Sequence, residues 1–370
     1  MFGGGATALR LFEAMRSQFD RARVVVLDED ENEFEPLRWA GWDLEGRKSA
    51  SDRSVAYMSN RQATLEIEAG DVFIATTWAT AYQVRQFMTK LGRQFPRRNP
   101  QFIYLIQDFE PALYPFSSQY LMAESTYVNG EATLAVFNTR LLMEYFRERG
   151  YSFHREFCFE PKLNERLASL RGQRDDVSKE RLMLVYGRPS VHRNAFELLV
   201  EALHHWSELF EGASRWKVVS LGEKHRTIEL GRGVQLQSLG KVTLDEYASF
   251  LKRASVGLSL MVSPHPSYPP LEMADFGIRV VTNRFAGKNL AQRSENIMSP
   301  PEASPVTIAE TLKAACEEFE VRPWGNNPQA GRSAFLSSDQ EFPFLHSLFE
   351  ELGTRPTTGR PLDPLSSPAA

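Results

Sequence analysis

The segment Ser263–Ala274, reading SPHPSYPPLEMA, places four prolines, a tyrosine and one acid, Glu272, closely after the apolar run GLSLM. Prolines stiffen a loop, and proline at the first helical position opens a helix, so the run reads as a rigid loop ending in a helix whose first turn holds Glu272. Ligands of open α/β sheets bind beyond the carboxyl ends of the strands, which is where such a loop belongs. Amides at the helix start can face an anion, although each opening proline removes one donor. Glu272 is a poor partner for phosphate and a good acceptor for sugar hydroxyls; its alternative role is to stabilise the first helical turn.

Three further apolar runs end in glycine and charge. Leu182–Tyr186 leads into Gly187, Arg188 and Pro189, then His192, Arg193 and Asn194. Trp216–Ser220 leads into Leu221, Gly222 and Glu223, and Val234–Leu239 into Gly240 and Lys241. Each basic residue taken singly reads as a solvated surface group. At a common set of strand ends they can converge on one diphosphate, where a low-dielectric cleft makes charge stabilisation count for more than in water. Arginine suits a bidentate grip and lysine a point charge.

In the first half, Gln107, Asp108, Phe109, Glu110 and Pro111 follow the run FIYLI. Asp108 or Glu110 is placed to orient or deprotonate a hydroxyl, the alternative being a simple acidic turn at a strand end. Gly3, Gly4 and Gly5 bring backbone close to a phosphate or an acceptor, or make a tight turn.

Two patterns imitate other chemistry. Gly3 to Ala8 with Asp28 resembles a dinucleotide fingerprint, the mark of an NAD-type oxidoreductase, but no strand precedes it and no dehydrogenase constellation follows. Asp28-Glu29-Asp30 imitates a metal-binding DxD, yet lies in an acidic run to Glu35 that reads as a solvated loop. The seven histidines form no HExxH, and Cys158 and Cys316 stand far apart, so we expect no obligatory metal and no disulfide framework.

The elements that must position these groups alternate. Arg23–Asp28, Asp71–Thr76, Phe102–Gln107 and Ala132–Asn138 read as strands, with helices over Ala6–Phe19, Thr80–Leu91 and Thr139–Arg149. A polar, charged stretch follows. A second series then has strands at Leu182–Tyr186, Trp216–Ser220, Val234–Leu239, Val256–Met261 and Val280–Asn283, and helices at Asn194–Glu208, Leu244–Arg253, Pro270–Asp275 and Pro305–Phe319. Such alternation predicts βα units and doubly wound parallel sheets. We expect a first domain over 1–162, a linker over 163–180, a second domain over 181–330, a helical segment over 331–353 packing back on both, and a disordered tail over 354–370. The strand that should precede Gly3–Gly5 is missing, and the expectation is that the full-length protein carries about 10 to 30 more residues ahead of Met1.

A chain of 370 residues is long enough for two cores and hence a cleft. With 42% hydrophobic and 24% charged residues it falls among soluble globular proteins. A net charge of −4 with dispersed bases provides no field for nucleic acid. No apolar run approaches the roughly 20 residues that span a bilayer, and the start lacks signal-peptide regions. The expected location is the cytoplasm, with peripheral association at the inner face of the membrane left open.

The second half resembles the nucleotide-sugar-binding domain of retaining GT-B glycosyltransferases, most closely the WsaF-type rhamnosyltransferases, in YGRPSVHRNAFEL, SLGEKH, SLGKVTLDEYA and SLMVSPHPSYPPLEMADFG. The first half is similar to the same family in FGGGATAL and IYLIQDFEP. The resemblance implies two Rossmann-like domains with a donor, dTDP-L-rhamnose, bound between them as co-substrate. Arg188 and Lys241 would then meet the diphosphate, and Tyr268 the nucleotide or its phosphates. Glu272 would hold the ribose, with Gly187, Arg193, Gly222, Glu223, Ser267, Pro269 and Leu271 completing the donor site. Pro264 stands where the wider family has the first of two paired glutamates, so the resemblance does not carry over the sugar-hydroxyl contact made there. The acceptor would be a glycan or lipid-linked saccharide. The alternative is a glycosyltransferase-like subunit without catalysis, acting as a scaffold or glycan binder.

Overall fold

The computed structural model describes residues 3–27, 42–44, 53–57, 65–94, 101–171, 178–324 and 341–353. In chain order, helix α1 (Gly3–Arg16) leads to strands β1 (Ala22–Val26), β2 (Asp43–Leu44), β3 (Arg53–Tyr57) and β4 (Ile74–Ala75). Then come α2 (Trp78–Gln94), β5 (Phe102–Ile106), α3 (Ser118–Ser125), β6 (Gly130–Asn138), α4 (Arg140–Glu148) and β7 (Phe153–Phe159). The second half begins with α5 (Glu165–Arg171), β8 (Glu180–Gly187), α6 (Phe196–Leu209), β9 (Lys217–Gly222), β10 (Ile228–Gly231), β11 (Val234–Gly240) and α7 (Leu244–Arg253). It continues through β12 (Ala254–Leu258), α8 (Pro269–Asp275), β13 (Arg279–Val281), β14 (Ile297–Met298), α9 (Pro305–Val321) and α10 (Leu345–Glu351).

The run FIYLI becomes β5 with all five residues buried, as a parallel strand covered on both faces requires. It lies in a parallel sheet of order β4-β5-β6-β7, beside a separate parallel sheet of order β1-β3-β2. Ala81, Val84, Met88 and Leu91 of α2 and Leu142, Met143 and Phe146 of α4 cover one face of the four-stranded sheet. Leu11 and Met15 of α1 cover the other, together with Phe342, Phe344, Leu348 and Phe349 from the end of the described chain.

The second half forms a seven-stranded sheet of order β10-β11-β9-β8-β12-β13-β14, parallel except where β10 pairs with β11. Its central strand β8 has four consecutive buried residues, Leu182 to Val185. Helices α6 and α9 pack on one face through Leu199, Leu203, Trp206, Ile308 and Leu312. Leu251, Leu271, Met273 and Phe276 cover the other face, with α5 contributing Leu167.

Two local differences have clear causes. Gly3–Gly5, expected as a turn ahead of a helix, form the first turn of α1 itself. Within 163–180, expected as a linker, Glu165–Arg171 is helical because Leu163, Leu167 and Leu170 recur at helical spacing and reach the second hydrophobic core. Asp28–Glu35 and the tail 354–370 lie outside the described residues.

Candidate functional site

Parallel pairing sets the strand tips in register. Gly187 of β8 sits opposite Gly222 of β9, and Gly240 of β11 opposite Leu221. Arg188, Glu223 and Lys241 therefore leave three neighbouring strands at the same edge, β8 and β11 being about 10 Å apart across β9. Glycine is required at two of these tips. A Cβ at Gly187 would collide with the Ser220 hydroxyl and reach within 3.0 Å of the Phe196 ring. Gly222 has φ +123° and would bring a Cβ to 2.7 Å from the Gly187 carbonyl.

Glu223 is committed within the protein. Its carboxylate accepts from the Ser190 amide (3.0 Å) and hydroxyl (2.6 Å), and these bonds hold it below the usual carboxylate range. It ties the β8 and β9 loops together beside Arg188. Lys241 is exposed and Arg188 half-buried.

The proline-rich loop runs from the end of β12 into α8, which starts with Pro269 and Pro270 and has Tyr268 at its N-cap. Ser267 takes φ +69°, a left-handed conformation costly for a residue with a side chain, so its surroundings must hold it there. His265 is buried and its Nδ1 accepts the Ser267 amide at 3.0 Å. Burial lowers its pKa to about 4, so it stays neutral. Glu272 accepts the Tyr247 hydroxyl at 2.9 Å, while burial pushes its carboxyl up to about 7. One glutamate oxygen is thereby oriented by the protein and the group remains ready to accept from hydroxyls.

The same loop reaches the first half of the chain. The buried Ser263 hydroxyl donates to Asp108, beyond the tip of β5, and accepts the His265 amide at 3.0 Å. Asp108 also accepts the Phe109 amide at 2.9 Å and faces Arg193 Nε at 3.5 Å. Arg193, expected on the donor, thus reaches toward Asp108 in the first half. The side chains of Asn138, at the end of β6, and Thr7, in α1, reach the Tyr268 hydroxyl. Gly4 lies against Gln107, where a Cβ would come within 3.3 Å of the amide oxygen.

Glu110 opens a short 3-10 turn and accepts the Trp78 amide at 2.8 Å at the start of α2. Burial raises its carboxyl to about 7, the Trp78 amide opposing and Asp108 adding to the rise. Such a group exchanges a proton near neutrality.

The expected residues thus fall into two groups that face each other. Arg188, Lys241, Ser267, Tyr268, Pro269 and Glu272 belong to the second sheet's carboxyl edge, and Gly3–Gly5, Asp108 and Glu110 to the first half; Leu271, expected on the donor, is instead fully buried in the core, with its amide donating to the Tyr268 carbonyl. Sequence reasoning singled out the loop holding Ser263 and His265 without giving either a role, and it missed Tyr247, Asn138, Thr7 and Lys288. The strand-end positions of Asn138 and Ser263 were available as signals; the contacts of Tyr247 and Lys288 come from pairing across the fold. No helix of the described residues is long and apolar enough to cross a membrane.

Residues 1–140 match the family model described as the N-terminal domain of WsaF, and residues 181–313 match the WsaF C-terminal domain. The O-antigen biosynthesis protein RfbC of Myxococcus xanthus is 30% identical over 217 residues, which are 59% of this chain and 16% of that protein. The chain therefore spans about a sixth of that relative's length. The crystal structure of Anabaena HepE in complex with UDP and glucose superposes with a TM-score of 0.58 at 14% identity, covering 96% of each chain. That last likeness is one of fold.

Proposed function

Because the chain belongs to the WsaF family of GT-B glycosyltransferases, we propose that it transfers a rhamnosyl or related deoxyhexosyl group from a dTDP-sugar to a hydroxyl of a surface polysaccharide or glycan, with retention of configuration. The observation that carries this reading is the set of glycine-ended strand tips with Arg188 and Lys241, flanked by Glu272 and facing Asp108 and Glu110.

Arg188 and Lys241 stabilise charge on the diphosphate as the bond from sugar C1 to the phosphate oxygen breaks. A bond from C1 to the acceptor oxygen forms, and the acceptor proton passes to Glu110, whose raised pKa suits it to take a proton near neutral pH. Asp108 orients that side of the cleft through Ser263 and Arg193. Glu272, set by Tyr247, accepts from the nucleotide pentose. Burial of the loop excludes water that would hydrolyse the donor. The polysaccharide context finds support in the kinship with an O-antigen biosynthesis protein. We place the reaction in the cytoplasm, with the acceptor glycan or lipid-linked saccharide presented at the inner membrane face.

The test is to incubate the protein with dTDP-L-rhamnose and short saccharide acceptors and to follow dTDP release and the mass of the acceptor. A gain of one deoxyhexose that disappears in Glu110→Gln supports the reading. Tight nucleotide binding without product on any acceptor would favour a non-catalytic scaffold.

A further inference from the structure

Lys288 is 2% exposed, yet it lies in the turn after β13, where Phe285 and Lys288 exchange backbone hydrogen bonds of 3.1 and 2.8 Å. Its ammonium donates to the Met261 carbonyl at 2.7 Å and the His265 carbonyl at 3.3 Å, both in the proline-rich loop. Asn283 grips the same place, accepting the Met261 amide at 2.7 Å and donating to the Met261 carbonyl at 3.1 Å. A buried cation is costly unless its protons are satisfied, and a flexible lysine is a poor choice for packing alone.

What lies between the two carbonyls explains the arrangement. The segment Met261–His265 contains Ser263, whose hydroxyl must meet Asp108, and it leads to Ser267 in the left-handed region and Tyr268 against Asn138 and Thr7. A loop with this strain holds its shape only if its ends are fixed. Lys288 fixes two points of it; burial lowers its pKa to about 7, with the negative charge of Asp108 opposing that fall.

We propose that Lys288 is a positioning residue of the donor site, acting through the Met261 and His265 carbonyls to hold the proline-rich loop in the conformation that reaches the first sheet. The assignment of a donor to this loop rests on the function proposed above; the brace itself does not.

Hydrogen exchange followed by mass spectrometry on the full chain separates the two. In Lys288→Met, amides of 261–268 should exchange about tenfold faster or more, while peptides from β8 and β12 keep wild-type rates. Lys288→Gln, which keeps an uncharged donor, should fall between and serves if the methionine variant does not fold. Lys179, equally bound to two carbonyls (Leu251 and Phe276, each 2.8 Å), supplies the control: Lys179→Met should leave loop exchange unchanged. With dTDP titrated into each protein, Lys288→Met should also weaken binding about tenfold. Unchanged loop exchange in both Lys288 variants overturns the proposal. Faster loop exchange in a protein whose wild type binds no nucleotide leaves the brace standing and removes the donor reading.

Discussion

The Ser263 hydroxyl, on the loop that leaves β12, donates to the Asp108 carboxylate beyond the tip of β5, so a buried hydrogen bond joins the two halves across the cleft. Asp108 is satisfied there by Ser263, the Phe109 amide and Arg193. Ser263→Ala leaves a buried carboxylate one donor short, at a cost of about 1–3 kcal/mol. The expected result is a fall of a few degrees in the thermal midpoint by calorimetry. A midpoint within error of wild type would show that the link contributes nothing to stability.

Glu110 makes stability depend on pH. Its native pKa of about 7 stands above the ordinary value of 4.5, so the folded protein holds a proton that the unfolded chain releases. Between these two values unfolding releases a proton, and this contribution makes stability fall as pH rises, levelling off above about 7. Glu110→Gln removes that slope. Unfolding free energies of wild type and variant should therefore diverge in favour of the variant from pH 5 to pH 8, by an amount on the order of 1–3 kcal/mol. Parallel curves would contradict the raised pKa.

Gly187 and Gly222 test the strand tips. In Gly187→Ala the new methyl group meets Ser220 and Phe196, and in Gly222→Ala it meets the Gly187 carbonyl in a backbone conformation foreign to alanine. Each substitution should cost about 1–3 kcal/mol in unfolding and displace Arg188. Gly233, at φ +74° with open space around it, provides a comparison in which only the backbone term acts. If Gly222→Ala is no worse than Gly233→Ala, the tight packing of the tips is refuted.

How legible the molecule was in its sequence followed from how local each signal is. β5 and β8 could be read because both faces of each strand are buried, which leaves an unbroken apolar run. Helix α7 was found to the residue, since Thr243 and Glu246 form a capping box and Lys252 and Arg253 close the last turn. Helix α3 was invisible: Leu121 and Met122 point outward, so no apolar period marks it. Strands β2 and β3 escaped because two and five residues with polar flanks resemble loop. At the site, glycine and charge at strand ends could be read from order alone. The contacts that orient them could not: Tyr247 to Glu272 spans 25 positions, Lys288 to Met261 spans 27, and Ser263 to Asp108 spans 155.

Tyr247 offers a further check on Glu272. In Tyr247→Phe the carboxylate loses its oriented donor, which should weaken nucleotide binding while sparing the phosphate grip, a loss of about 1–2 kcal/mol or roughly 5–30-fold in Kd. Inorganic pyrophosphate, which has no pentose, should bind wild type and variant alike. Equal losses for nucleotide and pyrophosphate would place Tyr247 outside the pentose contact.

The central claim is that a nucleoside diphosphate sits at the tips of β8, β9 and β11. Isothermal titration of dTDP into wild type, Arg188→Ala and Lys241→Ala measures it most directly. The account predicts saturable one-to-one binding to wild type, weakened about tenfold or more by each substitution. Binding that is equally strong in all three proteins, or absent from the wild type, would contradict it.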